Sequence, residues 1–549
     1  MPRYLLTAML GLLLAGPAAN ASNATEEAKG ELYNLGLAFG SVAPPTTGHP
    51  CFLFPVREDH QGDLNGDGDT LDRPTHALCA KKGLLWNTGF DRTITLPGQH
   101  RRARYFFGVL EEELGFDQNG DGDLADWVLH RLNLKRQAIR ATDIVFNLAW
   151  VDRYRVFFID WGTSRLSVYD ERAGTTRVLS IAPSAIAPLN GHALLLLRES
   201  KLNVDLNGDN DTADRIVHHY DNATGSLRNL GLAALELRST AKSAAFLARE
   251  DHQSSDLNGD GDLADHVLHY FLPPQASSRG RNRPTTEAQV VNTGLAVPPV
   301  FASLQYELSE RWLAVAVDEA AQTADANDDG DLLDKTLTVI DLKKGRTHHT
   351  EQALSRGRVA EIQIGGSLIG FVGELTQPPE NDLYFYDAQR RSTEAAGAFL
   401  ASNPFWIGDD VGYYLRRESL WGDLNGDGDD NDRIATVFDR RQREPLSLGV
   451  AAYGPSFAGR WLGFLVSESS ESRDLTGDGD TSDFVPFVFD RGSESLSSLG
   501  IAAGGTGHFS LGEGLFLLPV AETTTDLNGD GDTKDLVLHA YTAKPRRRP

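Results

Sequence analysis

A ten-residue acidic segment recurs eight times in this chain, and no other feature constrains its fold as strongly. The pattern has Asp at position 1, Asn at 3, Asp at 5, Gly at 6, and Asp at 7 and 10. Successive copies start 54, 88, 51, 69, 98, 51 and 52 residues apart, so the basic period is about 50 residues. We number these segments loops 1 to 8, and they begin at Asp63, Asp117, Asp205, Asp256, Asp325, Asp423, Asp474 and Asp526.

Each loop lies between two segments with the composition of β-strands. An apolar run that ends in an acidic residue precedes the loop, as in HALLLLRE, and an alternating segment such as RIVHHYD follows it. Runs of this kind, separated by Gly, Asp and Asn, are typical of β-hairpins. Many copies add a segment such as SLRNLGLA, and a weaker strand precedes the next hairpin, as in HFSLGEG. Four strands in about 50 residues is the size of a β-propeller blade.

Two long intervals between loops contain similar hairpins without an acidic loop. They occupy residues 153–182 and 367–398. The 69-residue interval is explained by a polar insertion, PPQASSRGRNRPTTEAQ, which is typical of a surface loop. Eight hairpins with loops and two without predict ten repeated units.

The two ends of the chain predict how the array closes. The last unit stops after LVLHAYTA, its third strand, and lacks a fourth. Residues Gly30–Ala38, GELYNLGLA, copy that missing strand, and their pairing with the last unit would cover sheet edges that otherwise invite aggregation. We therefore predict an all-β fold, a β-propeller of about ten four-stranded blades closed by the N-terminal strand. The alternative is two tandem five-bladed propellers.

The acidic residues within each loop indicate a cation site. A hard divalent cation needs several oxygen ligands around one centre, and alternate side chains of a tight loop can turn inward to supply them. Asn, Asp and Gly also favour solvated turns, but eight groups of closely spaced carboxylates would repel one another without a cation. Because every candidate ligand is an oxygen, we predict calcium as the cofactor, up to about eight ions with a structural role.

The net charge of −25 supports the same prediction. Eight divalent ions carry sixteen positive charges and would reduce the net charge to −9, an ordinary value for a soluble protein. The acidic balance excludes nucleic acid as a partner, because phosphate binding needs a basic surface.

The candidate metal ligands are the residues at loop positions 1, 3, 5, 7 and 10. In loops 1 to 4 they are Asp63, Asn65, Asp67, Asp69, Asp72, Asp117, Asn119, Asp121, Asp123, Asp126, Asp205, Asn207, Asp209, Asp211, Asp214, Asp256, Asn258, Asp260, Asp262 and Asp265. In loops 5 to 8 they are Asp325, Asn327, Asp329, Asp331, Asp334, Asp423, Asn425, Asp427, Asp429, Asp432, Asp474, Thr476, Asp478, Asp480, Asp483, Asp526, Asn528, Asp530, Asp532 and Asp535.

Three loops depart from the pattern. Asn210 replaces glycine at position 6 of loop 3, and Asp328 replaces glycine at position 4 of loop 5. Thr476 replaces asparagine at position 3 of loop 7, where it should weaken the site. A glutamate also ends the strand before each loop and could either bind the ion or serve the structure alone: Glu58, Glu111, Glu199, Glu250, Glu319, Glu418, Glu468 and Glu522.

The first half of the loop, DxNGDG, resembles the calcium loops of FG-GAP repeats, the propeller repeats of integrin-alpha type. The match is closest at DLNGDGDTKDLVLHAY, which begins at Asp526. The resemblance implies that the loops join strands of propeller blades and bind calcium. In that family the closing Asp stands at position 9, whereas here it stands at position 10 with an added Asp at position 7. The ligand role of position 7 therefore stays open.

The N-terminus predicts export. Arg3, the apolar stretch Tyr4–Ala15 and a small-residue site after Ala21 are typical of a signal peptide, so we divide the chain into a signal peptide, 1–21, and a calcium-loop β-propeller, 22–549. No later stretch is apolar enough to span a membrane. We expect a secreted or periplasmic protein, with bacterial export favoured. Cys51 and Cys79, in the two arms of the first hairpin, can form a disulfide in such a compartment, the alternative being two buried free thiols.

No catalytic motif stands out, so the biological role is less constrained than the fold. Recurring histidines (His130, His219, His269, His539) are expected to serve packing or a blade surface, and first-strand aromatics (Tyr306, Trp406, Phe457, Phe509) are expected to pack in the core. We favour a calcium-binding propeller that serves as a binding, adhesion or scaffold module for an extracellular protein or glycan. The alternative is a propeller hydrolase or lyase that acts on a polysaccharide or another extracellular polymer, and the oligomeric state is left open.

Overall fold

The computed structural model describes most of the chain as antiparallel β-sheet. The described residues are 30–38, 51–79, 84–100, 104–133, 136, 138–160, 163–274, 287–297, 305–354, 362–374, 381–399, 404–504, 509–512, 514–522 and 525–543. The predicted signal peptide, 1–21, lies outside them, as does most of the polar insertion. Within the described part of the chain, no helix has the length and apolar character needed to cross a membrane.

We group the strands into units 1 to 10. The N-terminal strand β1 is Gly30–Ala38. Unit 1 has β2 Cys51–Pro55, β3 Thr75–Cys79 and β4 Leu84–Asn87; unit 2 has β5 Thr93–Thr95, β7 Arg104–Leu110, β8 Trp127–Asn133 and β9 Ala138–Phe146; unit 3 has β6 Gly98–His100, β10 Leu148–Arg153, β11 Arg155–Ile159, β12 Leu166–Asp170 and β13 Thr175–Val178; unit 4 has β14 Ala185–Leu189, β15 His192–Arg198, β16 Arg215–Asp221 and β17 Ser226–Ala233; unit 5 has β18 Arg238–Ser239, β19 Ala244–Arg249, β20 His266–Leu272 and β21 Gln289–Val297.

The second half of the chain continues the same series. Unit 6 has β22 Tyr306–Leu308, β23 Trp312–Asp318, β24 Lys335–Asp341 and β25 Arg346–Leu354; unit 7 has β26 Ile362–Gly365, β27 Leu368–Glu374, β28 Asn381–Asp387 and β29 Ser392–Phe399; unit 8 has β30 Phe405–Gly408, β31 Val411–Arg417, β32 Arg433–Asp439 and the start of β33 Pro445–Ala458; unit 9 has the end of β33, β34 Trp461–Ser467, β35 Phe484–Asp490 and β36 Ser495–Ser498; unit 10 has β37 Phe509–Gly512, β38 Leu515–Ala521 and β39 Leu536–Ala543.

Short helical turns follow the second strand of several units. They are a 3-10 turn, Glu58–His60, and α1 Glu111–Leu114, α2 Glu199–Leu202, α3 Glu319–Gln322 and α4 Glu418–Trp421.

The hairpins predicted from the sequence are confirmed. All eight acidic loops join adjacent antiparallel strands: β2/β3, β7/β8, β15/β16, β19/β20, β23/β24, β31/β32, β34/β35 and β38/β39. The two hairpins without an acidic loop, β11/β12 and β27/β28, pair in the same way. The chain is thus all-β, and its successive antiparallel meanders have the architecture of propeller blades.

The apolar core is divided between neighbouring units. Among the described residues there are ten apolar clusters, and each draws its side chains from two units. Both faces of the middle strands are therefore buried, which explains runs such as HALLLL in β15. Tyr306 lies in the cluster between units 5 and 6, and Trp406 and Phe457 pack against the cluster between units 8 and 9, as predicted for these aromatics.

Close packing also explains two glycines in middle strands. A Cβ on Gly412 would lie 2.3 Å from the ring of Phe385 in unit 7, and one on Gly463 would lie 2.7 Å from the ring of Phe516 in unit 10. Glycine at these positions lets a phenylalanine of the neighbouring unit lie directly against the backbone.

The N-terminal strand completes the last sheet. β1 pairs antiparallel with β39, from Gly30 opposite Ala543 to Ala38 opposite Val537, so the predicted pairing of the two chain ends is confirmed. Leu35 and Leu37 of β1 pack on a cluster that contains residues of both unit 1 and unit 10. In β2 and β3, Cys51 stands opposite Cys79. Their side chains lie outside the described part, so the disulfide stays a prediction.

We predict that a chain without residues 30–38 melts at a lower temperature and aggregates, because β39 becomes an exposed edge. The control is a chain that begins at Gly30. Adding the synthetic peptide GELYNLGLA should restore stability to the truncated chain by pairing with β39. Thermal unfolding and size-exclusion chromatography measure both effects. Equal melting temperatures of the two chains would show that β1 contributes nothing.

Candidate metal centres

A buried glutamate anchors each acidic loop. The eight glutamates that end the preceding strands are 0–6% exposed, which is rare for carboxylates. In each loop the glutamate Oε1 accepts a hydrogen bond from the backbone N–H of position 2. In six loops Oε2 also accepts the N–H of position 10. One carboxylate thus holds both ends of the loop, which establishes the structural role that the sequence left open.

Position 1 is also engaged by backbone. In all eight loops its Oδ2 accepts the N–H of position 6 at 2.9–3.1 Å. In seven loops its Oδ1 accepts the N–H of position 4. These hydrogen bonds lower the pKa of Asp117, Asp205 and Asp474, because backbone donors stabilise the ionised carboxylate.

Positions 5 and 7 use one oxygen each to fold the loop. In every loop the Oδ1 of position 5 accepts the N–H of position 7, and the Oδ1 of position 7 accepts the N–H of position 9. Each side chain keeps a second oxygen, Oδ2, that these contacts do not use. In loops 1, 2 and 5 the Oδ2 of position 5 also accepts a hydrogen bond from the Nδ2 of the position 3 asparagine. A carboxylate oxygen has two lone pairs, so this oxygen can accept a further partner.

Carboxylates from several positions converge next to the buried glutamate. In loop 4, one oxygen from each of Glu250, Asp260, Asp262 and Asp265 lies within 4.8 Å of the others. The same positions meet in loops 1 and 6, and Glu111, Asp123 and Asp126 meet in loop 2. The structure thus brings positions 5, 7 and 10 together with the glutamate in loops 1, 4 and 6, while position 1 accepts backbone hydrogen bonds through both oxygens in seven loops and through Oδ2 alone in loop 5.

Some of these buried oxygens have no hydrogen-bond donor. Glu111 is 0% and Asp126 is 1% exposed, yet Glu111 Oε2 and Asp126 Oδ1 lack a partner; Glu58 Oε2 in loop 1 is in the same situation. A buried anionic oxygen without a donor is costly. A cation bound in each of these two loops would place a positive charge beside such oxygens, and the carboxylates that converge there fit a divalent metal with oxygen ligands.

The pKa of the Asp at position 10 is raised where these carboxylates crowd together. Burial, followed by the neighbouring carboxylates, raises the pKa of Asp265 to about 7 and those of Asp126 and Asp483 to about 6. The pKa values of Asp72 and Asp535 are raised to about 6, again by burial first and by a neighbouring Asp second. Without a positive charge nearby, the fold disfavours ionisation at position 10.

The three loops that depart from the pattern keep the backbone conformation. Asn210 has φ +75° and Asp328 has φ +60°, so both occupy the positive-φ region that glycine occupies in the other loops. In loop 7, Thr476 Oγ1 contacts Glu468 and Asp474 and does not replace the amide contact of asparagine with position 10. Asp483 Oδ2 consequently lacks a partner.

An asparagine outside the loop, which the sequence analysis missed, holds it in place. In the last strand of four sheets an Asn Nδ2 donates to the carbonyl oxygen of loop position 2 at 2.7–2.8 Å: Asn34 to Leu527, Asn87 to Leu64, Asn229 to Leu206 and Asn292 to Leu257. The N-x-G pattern that recurs in SLRNLGLA, VVNTGLA and ELYNLGLA is the sequence signal that could have indicated this contact.

Further contacts join loops 3, 4, 6 and 8 to the following unit. The Nδ2 of the position 3 asparagine donates to a carbonyl oxygen in the turn before the acidic loop of the next unit: Asn207 to His252, Asn258 to Ala321, Asn425 to Ser470 and Asn528 to His60. The next residue of these turns accepts the N–H of an alanine that ends a last strand, as Gln61 does from Ala38 and Gln253 from Ala233.

The recurring histidines pack in the sheets. His130, His269 and His539 are at most 7% exposed, and the Nδ1 of each contacts the carbonyl oxygen two residues earlier. Burial lowers the pKa of each, so they are kept neutral. In unit 4 this position is held by His218, whereas His219 contacts His192.

We predict that Asp126→Asn changes stability in opposite directions with and without calcium. Without the ion, the amide removes a carboxylate that is repelled by its neighbours, so the melting temperature should rise by the equivalent of about 1 kcal/mol. With calcium, the variant should melt below the wild type because a ligand charge is lost. The control is Asp117→Asn, which removes a backbone-capping carboxylate and should destabilise in both conditions. Thermal unfolding in calcium and in chelator measures both variants, and a loss for Asp126→Asn in chelator would contradict the prediction.

We also predict that the stabilisation by calcium is large near pH 7.5 and small near pH 5.5. The raised pKa of the position 10 carboxyls means that repulsion is absent when they are protonated and grows as the pH rises through about 6 to 7. Calcium removes this repulsion only where the groups are ionised. The buried histidines lose stability on acidification with and without the ion, so the difference between the two melting temperatures isolates the loops. A calcium effect that stays constant over this range would contradict the assignment.

No family model matches the chain, and no curated protein matches it in sequence. Solved structures with similar architecture include the tricorn protease (11% identity, 91% of this chain, 53% of that chain, TM-score 0.26) and oligogalacturonate lyase in complex with manganese (11%, 94%, 98%, 0.31). The β-propeller domain of the Trilobed protease from Pyrococcus furiosus is another (11%, 74%, 97%, 0.27). The chain spans about half the length of the tricorn protease chain. The fold description rests on the strand pairing given above.

Proposed function

We propose that the chain is an exported β-propeller of about ten blades, closed by its N-terminal strand and stabilised by calcium in its acidic loops. It serves as a binding, adhesion or scaffold module for an extracellular protein or glycan. The observation that carries the proposal is the pair of buried, donor-free oxygens on Glu111 and Asp126 beside Asp123. All ligands offered there are carboxylate oxygens, the ligands that calcium prefers.

The cyclic order of the core clusters supports a single ring. Nine clusters join each unit to the next along the chain, and the tenth joins unit 10 to unit 1. Among the described residues, units 5 and 6 share a cluster, whereas two five-bladed rings would need clusters between units 5 and 1 and between units 10 and 6. The alternative of two rings is therefore disfavoured.

The polar contacts at the junction of the chain ends support the same arrangement. Unit 10 meets unit 1 through Asn528 to His60 and Ala38 to Gln61, and unit 4 meets unit 5 through Asn207 to His252 and Ala233 to Gln253. Corresponding atoms are used in both cases. A junction between the chain ends that has the contacts of an internal junction is what a closed ring requires.

The loops do more in this proposal than fill their own turns. In loops 3, 4, 6 and 8 the position 3 asparagine contacts the next unit, so an ion that orders one of these loops also orders a junction between two blades. Calcium would thus stabilise the array against separation of its blades, and the blade faces would be free to hold a partner. The role of calcium in this proposal is structural. The resemblance of the loops to FG-GAP repeats, in which such loops join blade strands and bind calcium, supports it.

An enzyme that acts on an extracellular polymer is the second candidate. The observation that favours it lies between units 5 and 6, where Arg238 Nη1 contacts Glu307 at 2.8 Å and Arg238 Nε lies 3.7 Å from Glu236. Burial raises the pKa of Glu307 and, well above its usual value, that of Tyr306 beside it. An ion-pair cluster without a catalytic role would also have two carboxylates around one guanidinium. A screen for hydrolysis or elimination of polysaccharides and hydrolysis of peptides distinguishes the two roles, with the Glu307→Gln variant as the control.

Calcium removal tests the main proposal. Calorimetric titration of the chelator-treated protein should give several calcium sites, and a free calcium concentration one hundred times the dissociation constant should add about 2.7 kcal/mol of stability for each site absent from the unfolded chain. Magnesium is the control cation, because it requires a stricter octahedral geometry. No heat of binding together with an unchanged melting temperature in chelator would refute the metal assignment.

A further inference from the structure

The junction of units 10 and 1 brings a histidine into an acidic loop. His60 lies in the helical turn of unit 1, two residues after the buried Glu58, and its Nδ1 contacts Asp535 of loop 8. One ligand atom from each of His60, Asp530 and Asp535 lies within 4.8 Å of the other two. Asp535 is 5% exposed and the His60 side chain is 21% exposed, whereas Asp530 is exposed, so the group is buried on one side and open to solvent on the other.

The chemistry of this group differs from that of the all-carboxylate clusters. Calcium binds oxygen almost exclusively, whereas an imidazole nitrogen suits zinc and other borderline transition metals. One histidine and two aspartates are three protein ligands of the kinds that zinc takes, and water can complete the coordination. We infer that loop 8 takes a transition-metal ion of the zinc class in place of calcium, held by His60, Asp530 and Asp535.

The position of this ion gives it a distinct consequence. His60 is 468 residues from Asn528 of loop 8, so the ligands come from opposite ends of the chain. Successive units are connected by the chain itself, whereas units 10 and 1 meet through the pairing of β1 with β39, a shared apolar cluster and hydrogen bonds between distant residues. An ion bound by both closes a loop that contains nearly all of the protein, in the manner of a long-range cross-link.

Equivalent positions in other units supply matched comparisons. In unit 5, His252 Nδ1 contacts Asp214 of loop 3, and in unit 9, the Ser470 side chain hydrogen-bonds to Asp432 of loop 6. Serine is thus accepted at this place in the fold. The competing explanation for His60 is an ordinary ion pair with Asp535, which needs a proton on the imidazole and no metal.

The experiment titrates zinc into protein saturated with calcium. A His252→Ser background removes the second histidine junction, so that any remaining nitrogen-dependent site belongs to loop 8. The inference expects one zinc equivalent in this background and a weakening of at least about tenfold when His60→Ser is added. Zinc should also raise the melting temperature of the His252→Ser protein and should not raise that of the protein with both His252→Ser and His60→Ser. Equal zinc binding by both proteins would identify the ion pair and overturn the inference.

A second measurement does not depend on the folding of the double variant. Crystals of the His252→Ser protein soaked in zinc should give an anomalous peak about 2.0–2.1 Å from His60 Nδ1; a peak only among carboxylates, or none at loop 8, overturns the inference. The inference rests on the proposed function only in treating the loops as cation sites. If the calcium titration shows no binding while zinc binding depends on His60, the calcium proposal falls and the zinc site stands. If calcium binds while zinc binding does not depend on His60, the calcium proposal stands and the zinc site falls.

Discussion

Repulsion between carboxylates that are held within a few ångströms of one another is the constraint on which this structure depends. The fold places a buried glutamate against three loop carboxylates at the end of a hairpin, as Glu250 stands against Asp260, Asp262 and Asp265. Backbone N–H groups satisfy some of the oxygens and cannot satisfy all of them, because Glu111 Oε2 and Asp126 Oδ1 remain without donors. The raised pKa at position 10 is the electrostatic consequence. A cation bound among these oxygens would reverse the sign of this contribution, because its positive charge would attract the carboxylates that otherwise repel one another.

The repetition of a few contacts from unit to unit accounts for much of the remaining structure. The contact of the glutamate with the loop backbone recurs in all eight loops, and the contacts of the last-strand asparagine with position 2 and of the position 3 asparagine with the next unit recur in four places each. The junction of the chain ends uses them too, through Asn34, Asn528 and Gln61. Because neighbouring units share apolar clusters, a unit buries its second face only when the next one is present, as is general for repeat proteins.

The elements that were predictable from the sequence are those with a local signature. Strand alternation and the acidic loops located all ten hairpins, and the similarity of GELYNLGLA to SLRNLGLA located the partner of β39. The role of the glutamates was not predictable, because a strand-ending Glu has the same sequence signature whether it binds backbone or metal. Position 1 was expected to be a ligand on the same footing as position 5, yet both of its oxygens accept N–H groups, a distinction that depends on the path of the backbone. The position of His60 beside Asp535 depends on the contact between units 1 and 10, which lie at opposite ends of the chain, so no local sequence signal indicates it.

Units 3 and 7 show how the array manages without an acidic loop. They lack the position 3 asparagine, and buried ion pairs join them to their neighbours: Arg131 of unit 2 contacts Glu171 of unit 3 at 2.6 Å, and Arg440 of unit 8 contacts Asp387 of unit 7 at 3.2 Å. In these pairs the positive charge is supplied by the chain, so the carboxylate needs no added cation. The same kind of pair also joins two units that have acidic loops, because Arg491 of unit 9 contacts Asp439 of unit 8 at 3.2 Å, so arginine at a junction does not depend on the absence of a loop. The pKa of Asp387 is indeed lowered, by backbone hydrogen bonds and by Arg440, against the effect of its burial, whereas the pKa of the loop carboxyl Asp265 is raised. A junction carboxylate such as Asp387 thus has guanidinium groups beside it, whereas the carboxyl of Asp265 has other carboxylates beside it, and the opposite pKa shifts follow from this difference.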